Sequence, residues 1–365
     1  MSADTAATTA VYSAAAGYRT HGRPLWRRLL LRTETAIIAA IIMLNIIAIT
    51  TVPYFAQPYT YLTMILNSAP ILLMLLPVTL IIISGDIDLS VGSVLGFSSA
   101  VFGLTYQSGV PLPLAAVVAV VGGGLVGVLN GVLVTVVGLP SLAVTIGTLA
   151  LFRGIAVGLL GTTAITKFPI DVTQFVSSPI FTSAPVPLVT VAIIVLAIAF
   201  AVLLHFTSFG RGVFAIGLSP ETAAFSGVRV NRTRLILFVL SGLVASATGV
   251  YYTLQYSNAI GTNGFGFELQ VVTAIVLGGV SIWGGRGSLL GALAGGALIA
   301  TLNKTLQLAG IGSDTISVVT GAALIFSVVV ASVAGSISRR RRAKASVIAA
   351  GAWQHHPSPS EICTK

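Results

Sequence analysis

Asp86 and Asp88 alternate within Ser84-Gly85-Asp86-Ile87-Asp88-Leu89-Ser90, a polar island between two long apolar runs. Carboxylates this close, flanked by hydroxyls such as Ser90, can hold a proton or a small cation, or can neutralise an arginine. Arg153 is such an arginine, set inside an apolar run. A guanidinium facing lipid at mid-depth costs about 2.5–3.5 kcal/mol on the insertion scale, so Arg153 is expected to face inward and pair with a carboxylate, Asp86 and Asp88 being the candidates. Such a pair could hold the island together, or Arg153 could touch substrate directly. Gln255 and Asn258, beside Tyr251, Tyr252 and Tyr256, supply the amide donors and acceptors that a hydroxyl-rich ligand needs, although interfacial tyrosines also serve as membrane anchors. Glu268 and Gln270 follow beyond them. Asn130, in a glycine-rich run, suits an interhelical hydrogen bond or a place on a path through the membrane.

Enzymatic chemistry has no candidate. Lys167, Lys304, Lys344 and Lys365 follow Thr, Asn, Ala and Thr, so no Gly-Lys-Ser/Thr phosphate loop exists and any ATP and Mg must be used by another chain. His-Glu-x-x-His and Gly-x-Ser-x-Gly are absent as well. Cys363 is the sole cysteine, and His21, His205, His355 and His356 lie outside the apolar runs or at their edge, so no disulfide, bound cofactor or metal centre is expected. Gly122-x-Gly124-x-x-Gly127 matches a dinucleotide fingerprint formally, but it sits in mid-run with no strand before it. Gly123, Gly127 and Gly131, four residues apart, suit close helix packing instead.

These residues stand on elements that must lie in lipid. Of 365 residues 55% are hydrophobic and 8% charged, a third of the roughly 25% charged content of a soluble domain. The net charge of +10 would suggest nucleic acid in a soluble protein, but the basic residues cluster at the ends and in one loop. Apolar runs fall at 35–52, 62–83, 91–107, 114–137, 141–161, 186–205, 235–256, 269–283, 289–307 and 315–335. The expected fold is therefore all-α and polytopic, with about ten transmembrane helices. The third and eighth runs are marginal in length, and each abuts a Gly-rich polar break (84–90 and 284–288), so each could be broken or re-entrant.

With both termini inside, sixteen of the nineteen Lys and Arg fall on the cytoplasmic side. The expected organisation is a cytoplasmic tail at 1–34, a membrane domain at 35–335 with a cytoplasmic loop at 206–234, and a basic, disordered cytoplasmic tail at 336–365. Trp26-Arg27-Arg28-Leu29-Leu30-Leu31 has twin-arginine character, but no small-residue cleavage site follows, so a retained tail is expected. A faint internal echo pairs Val78-Thr79 and Gly85 with Val272-Thr273 and Gly279, and Leu129-Asn130 with Leu302-Asn303, but the two pairings need different offsets, 194 and 173, so no repeat is built on them.

The loop at 206–234 holds the clearest local signal. Ser219 is placed to cap a helix, Pro220 fits the first helical position, Glu221 faces the positive end of the dipole, and Gly227 supplies the stop. A helix at Pro220–Ser226 is too short to persist alone in water. It must pack on its own membrane domain as a surface turn, or dock into a partner.

Four motifs in order (the island at 84–93, Glu221-Thr222-Ala223-Ala224-Phe225-Ser226-Gly227, Phe267-Glu268-Leu269, and Leu277-Gly-Gly-Val-Ser-Ile-Trp-Gly-Gly-Arg-Gly287) resemble the permease subunits of bacterial ABC importers for monosaccharides, of ribose, xylose and rhamnose type. The resemblance covers about 62–335. It implies a multi-pass inner-membrane subunit that pairs with a second permease subunit, identical or different. It further implies a soluble binding protein that delivers sugar outside and ATPase subunits that dock on a coupling helix at 221–227. This chain departs from the pattern at Thr222 and Ala224, where the family has Ala and a basic residue, and at Gln270, where it has Asp. Two alternatives stand beside a monosaccharide importer: an ion-coupled transporter using Asp86 and Asp88, and an importer permease for a branched-chain amino acid or a furanone signal.

Overall fold

A computed structural model of the protein describes residues 33–181, 184–326 and 329. The expected tails, and with them the side on which the termini lie, fall outside the described residues, apart from Thr33 and Glu34, which open α1. The helices are α1 (Thr33–Thr51), α2 (Pro58–Ile83), α3 (Val91–Gln107), α4 (Leu112–Thr135) and α5 (Ser141–Leu160). After a short α6 (Ile170–Ser177) and a hairpin of β1 (Pro179–Phe181) and β2 (Ala184–Pro187), the chain continues through α7 (Val189–Phe206), α8 (Ser208–Leu218), α9 (Pro220–Phe225) and α10 (Val230–Tyr256). It then forms α11 (Phe267–Leu277), α12 (Leu289–Leu308) and α13 (Ser313–Phe326).

Six of these (α2, α4, α5, α7, α10 and α12) are long and apolar enough to cross a bilayer. The two marginal runs behave differently from one another. The helix of α3 fills its run, and its 17 residues rise about 26 Å, close to the hydrocarbon thickness. By contrast α11 stops at Leu277, six residues before the expected end. Its 11 residues rise about 16 Å, half a bilayer. The physical reason is the pair Gly278-Gly279: Gly279 has φ +81° and closes the helix with Gly279 N–H to Val276 O and Val280 N–H to Ile275 O.

Helix α2 forms the centre, with 83% of its apolar window buried, whereas α5 and α7 bury only 22% and turn apolar side chains outward. The glycine stripe on α4 packs against α10. A methyl group on Gly127 would overlap the Phe238 carbonyl, and one on Gly242 would overlap that of Gly123. The helices meet at backbone distance, which is the packing role expected of the stripe. The stretch between α5 and α7 contains α6 and the hairpin. Phe168, Val172 and Val176 from this stretch cover Phe102, Val250 and Leu254.

Candidate functional site

At the bundle end carrying Arg211, Arg229, Arg232 and Arg286, α9 forms as its caps dictate. The Ser219 hydroxyl accepts from Thr222 N–H (3.2 Å) and from the Thr222 hydroxyl (3.0 Å), and Pro220 opens the helix. Ser226 is the C-cap, one residue earlier than expected, and Gly227 at φ +84° turns the chain, with Val228 N–H donating to Ala223 O at 3.0 Å. Ala223 is buried; Glu221, Thr222, Ala224 and Ser226 are exposed, and Phe225 is 93% exposed. The helix rests on one alanine and presents a phenylalanine outward.

The polar island is tied to three helices, α4, α5 and α10. Asp86 forms an ion pair with Arg234 on α10 (2.8 Å). This corrects the expected partner: Arg153 pairs with neither aspartate, and Arg234, one of the basic residues of the loop at 206–234, takes its place. Ile87 N–H donates to the Ser141 hydroxyl (3.2 Å), and the Thr145 hydroxyl donates to Ile87 O (3.2 Å), both on α5. Asp88, 2% exposed, accepts at one oxygen from Ser90 N–H (2.9 Å) and the Ser90 hydroxyl (2.6 Å), and at the other from the Ser241 hydroxyl (2.7 Å). The Asn130 amide on α4 donates to the Ser90 oxygen (2.9 Å), the interhelical bond expected of it.

Arg153 instead reaches the irregular segment 257–266, donating to Asn263 O at 2.6 Å with its guanidinium 5.7 Å from the Phe265 ring centre. The Asn263 amide donates to the Ser99 hydroxyl (2.8 Å) and to Asn258 O (3.0 Å). The segment runs back along α3: Ala259 lies against Gly103, Asn263 against Gly96 and Gly264 against Gly92. Non-helical backbone is tolerated at this depth because protein covers it. Glu268 lies close to this segment. It is buried in the first turn of α11, one oxygen accepting from Gly266 N–H (3.2 Å) and the other against Gly92.

Gln255 precedes this segment and Asn258 lies in it; the oxygens Gln255 Oε1 and Asn258 Oδ1 have no hydrogen-bond partner among the described residues. The Tyr256 hydroxyl donates to Asn67 Oδ1 (3.0 Å) on α2, so this tyrosine joins two helices. Gln270 accepts from the Asn303 amide on α12 (3.4 Å). No group of three or more metal-ligating side chains occurs among the described residues.

The internal echo has a structural counterpart. Asp86 N–H bonds Ile81 O and Gly85 N–H bonds Ile82 O, as Val280 does to Ile275 and Gly279 to Val276; the Thr79 and Thr273 hydroxyls both bond the carbonyl four residues earlier. Two helices thus end in the same way, 194 positions apart, and Gly284, beyond the second ending, meets Gly85 of the first.

Residues 60–328 match the family described as branched-chain amino acid transport system, permease component. Over 260 residues, 70% of this chain and 78% of the relative, the sequence is 38% identical to the autoinducer 2 import system permease protein LsrD of Escherichia coli K12, and equally to that of Shigella flexneri. No solved structure matches significantly.

Proposed function

The chain belongs to the family of branched-chain amino acid transport system permease components, and from that premise we propose that it is the membrane path of an ATP-driven importer for a sugar-sized, hydroxyl-rich molecule. It is a multi-pass protein of the cytoplasmic membrane. The observation that carries the proposal is α9, a capped helix too short to be stable alone, held at the arginine-rich end with Phe225 exposed. An ATPase subunit that binds ATP and Mg docks there. A soluble binding protein delivers cargo on the opposite side, and a second permease subunit covers part of the outward apolar faces of α5 and α7. This chain hydrolyses nothing. It alternates access as α9 moves, with the polar island and the segment 257–266 lining or gating the path.

The cargo we assign is a pentose or deoxyhexose such as rhamnose. Autoinducer 2 is the second reading, favoured by the LsrD relatives. Ion coupling through Asp86 and Asp88 is the weaker account, because one carboxylate already faces Arg234 and the other already accepts three hydrogen bonds. The test is to tag the chain in its host, solubilise it gently and identify what copurifies. An ATPase with a phosphate loop, together with a binding protein, supports the proposal. The binding protein is then titrated with ribose, xylose, rhamnose, autoinducer 2 and leucine to settle the cargo. Recovery of the chain alone under ATP-trapping conditions would sink the proposal.

A further inference from the structure

The helices on either side of α9 are both held at or beside the polar island. Ahead of α9, Gly217 in the last turn of α8 lies against the end of α2: a methyl group there would overlap the Ile83 carbonyl oxygen and the Gly285 nitrogen. Gly285 N–H itself donates to Ile83 O at 2.8 Å, which joins the α11–α12 turn to the α2–α3 break. Behind α9, Arg234 on α10 holds Asp86 at 2.8 Å. Such contacts are stiff for two reasons. Backbone against backbone has no rotamers to absorb a displacement, and an ion pair largely removed from water resists separation more than a surface pair does. A shift of α9 that carries the end of α8 or the start of α10 with it strains the Asp86–Arg234 pair or the seat of Gly217.

We infer that these contacts form a clasp through which displacement of α9 reaches both helix breaks together, making Gly217, Asp86 and Arg234 positioning residues for transport. The inference rests on the importer reading above. Asp88, two residues beyond Asp86, continues the route inward through its bond to Ser241.

The test measures cargo uptake and ATP hydrolysis on the same vesicles, using the whole transporter with its copurified ATPase and binding protein. Arg234→Gln is expected to cut the cargo moved per ATP roughly tenfold, with hydrolysis within about twofold of wild type. Arg234→Lys, which keeps the charge, restores most of that ratio, and Gly217→Ala shifts it in the same direction as Arg234→Gln. An unchanged ratio in Arg234→Gln overturns the clasp. So does a parallel fall of uptake and hydrolysis, which marks a contact that only holds the fold. If wild-type uptake proceeds without ATP hydrolysis, the importer reading fails and takes the clasp with it.

Discussion

A carboxylate as deeply buried as Asp88 persists because its oxygens are taken up by Ser90 and Ser241. Asp88→Ala strands those donors and is expected to destabilise the protein by about 3 kcal/mol, while Ser241→Ala, which removes one bond to a charged group, costs about 1.5 kcal/mol. Thermal unfolding of the detergent-purified protein checks the order, and an Asp88→Ala variant as stable as wild type would contradict it. At this scale the sequence was only half legible. Its composition marked Arg153 as a charge in need of company, but the partner is the Asn263 backbone carbonyl, 110 positions away. A carbonyl has no residue signature, so no pattern could point to it. Arg234 was equally hidden, since nothing in the sequence distinguishes it from Arg229 and Arg232 until the fold brings Asp86 beside it.

Elements whose ends are set by local chemistry were legible. Ser219, Pro220 and Gly227 frame α9 by interactions within a few residues, so the capping rules applied directly. Gly227 sits at φ +84°, a conformation proline cannot adopt. Gly227→Pro is therefore expected to abolish uptake while the protein still accumulates in the membrane, and Glu221→Lys, which reverses an exposed charge on α9, is expected to impair uptake in the same way. Normal transport in both would remove α9 from the mechanism. The α4 stripe was legible because spacing alone puts small residues on one face. Gly127→Val should cost about 1–3 kcal/mol by overpacking against Phe238, whereas Gly147→Val on α5, with open space around it, should be close to neutral; melting temperatures of the two purified variants decide. The end of α11 was not legible. Val280, Ile282 and Trp283 keep the run apolar past Leu277, and hydropathy cannot see the turn that Gly278 and Gly279 impose. The α2 and α11 endings show the same limit from the other side: the pairing at offset 194 said little until the hydrogen bonds proved equivalent.

For the whole molecule the question is where the energy enters. An ion-driven carrier needs an intramembrane carboxylate free to exchange its cation between the two sides of the membrane. Here Asp86 and Asp88, the two acidic residues of the island, face Arg234 and three hydrogen-bond donors, so exchange would require dismantling the joint between α2, α4, α5 and α10 in every cycle. An ATP-driven subunit can instead keep that joint closed and move it as a unit, taking its impulse at α9. The two schemes separate cleanly in intact cells. Uptake should survive an uncoupler while ATP is held constant, and should stop when ATP is depleted with the membrane potential maintained. Loss of uptake with the uncoupler alone would transfer the energy source to the ion gradient. The buried joint would then have to open during transport, and Asp86→Asn would be expected to change the ion dependence of uptake. Under the ATP-driven scheme the same substitution lowers the cargo moved per ATP and leaves the ion dependence as it was.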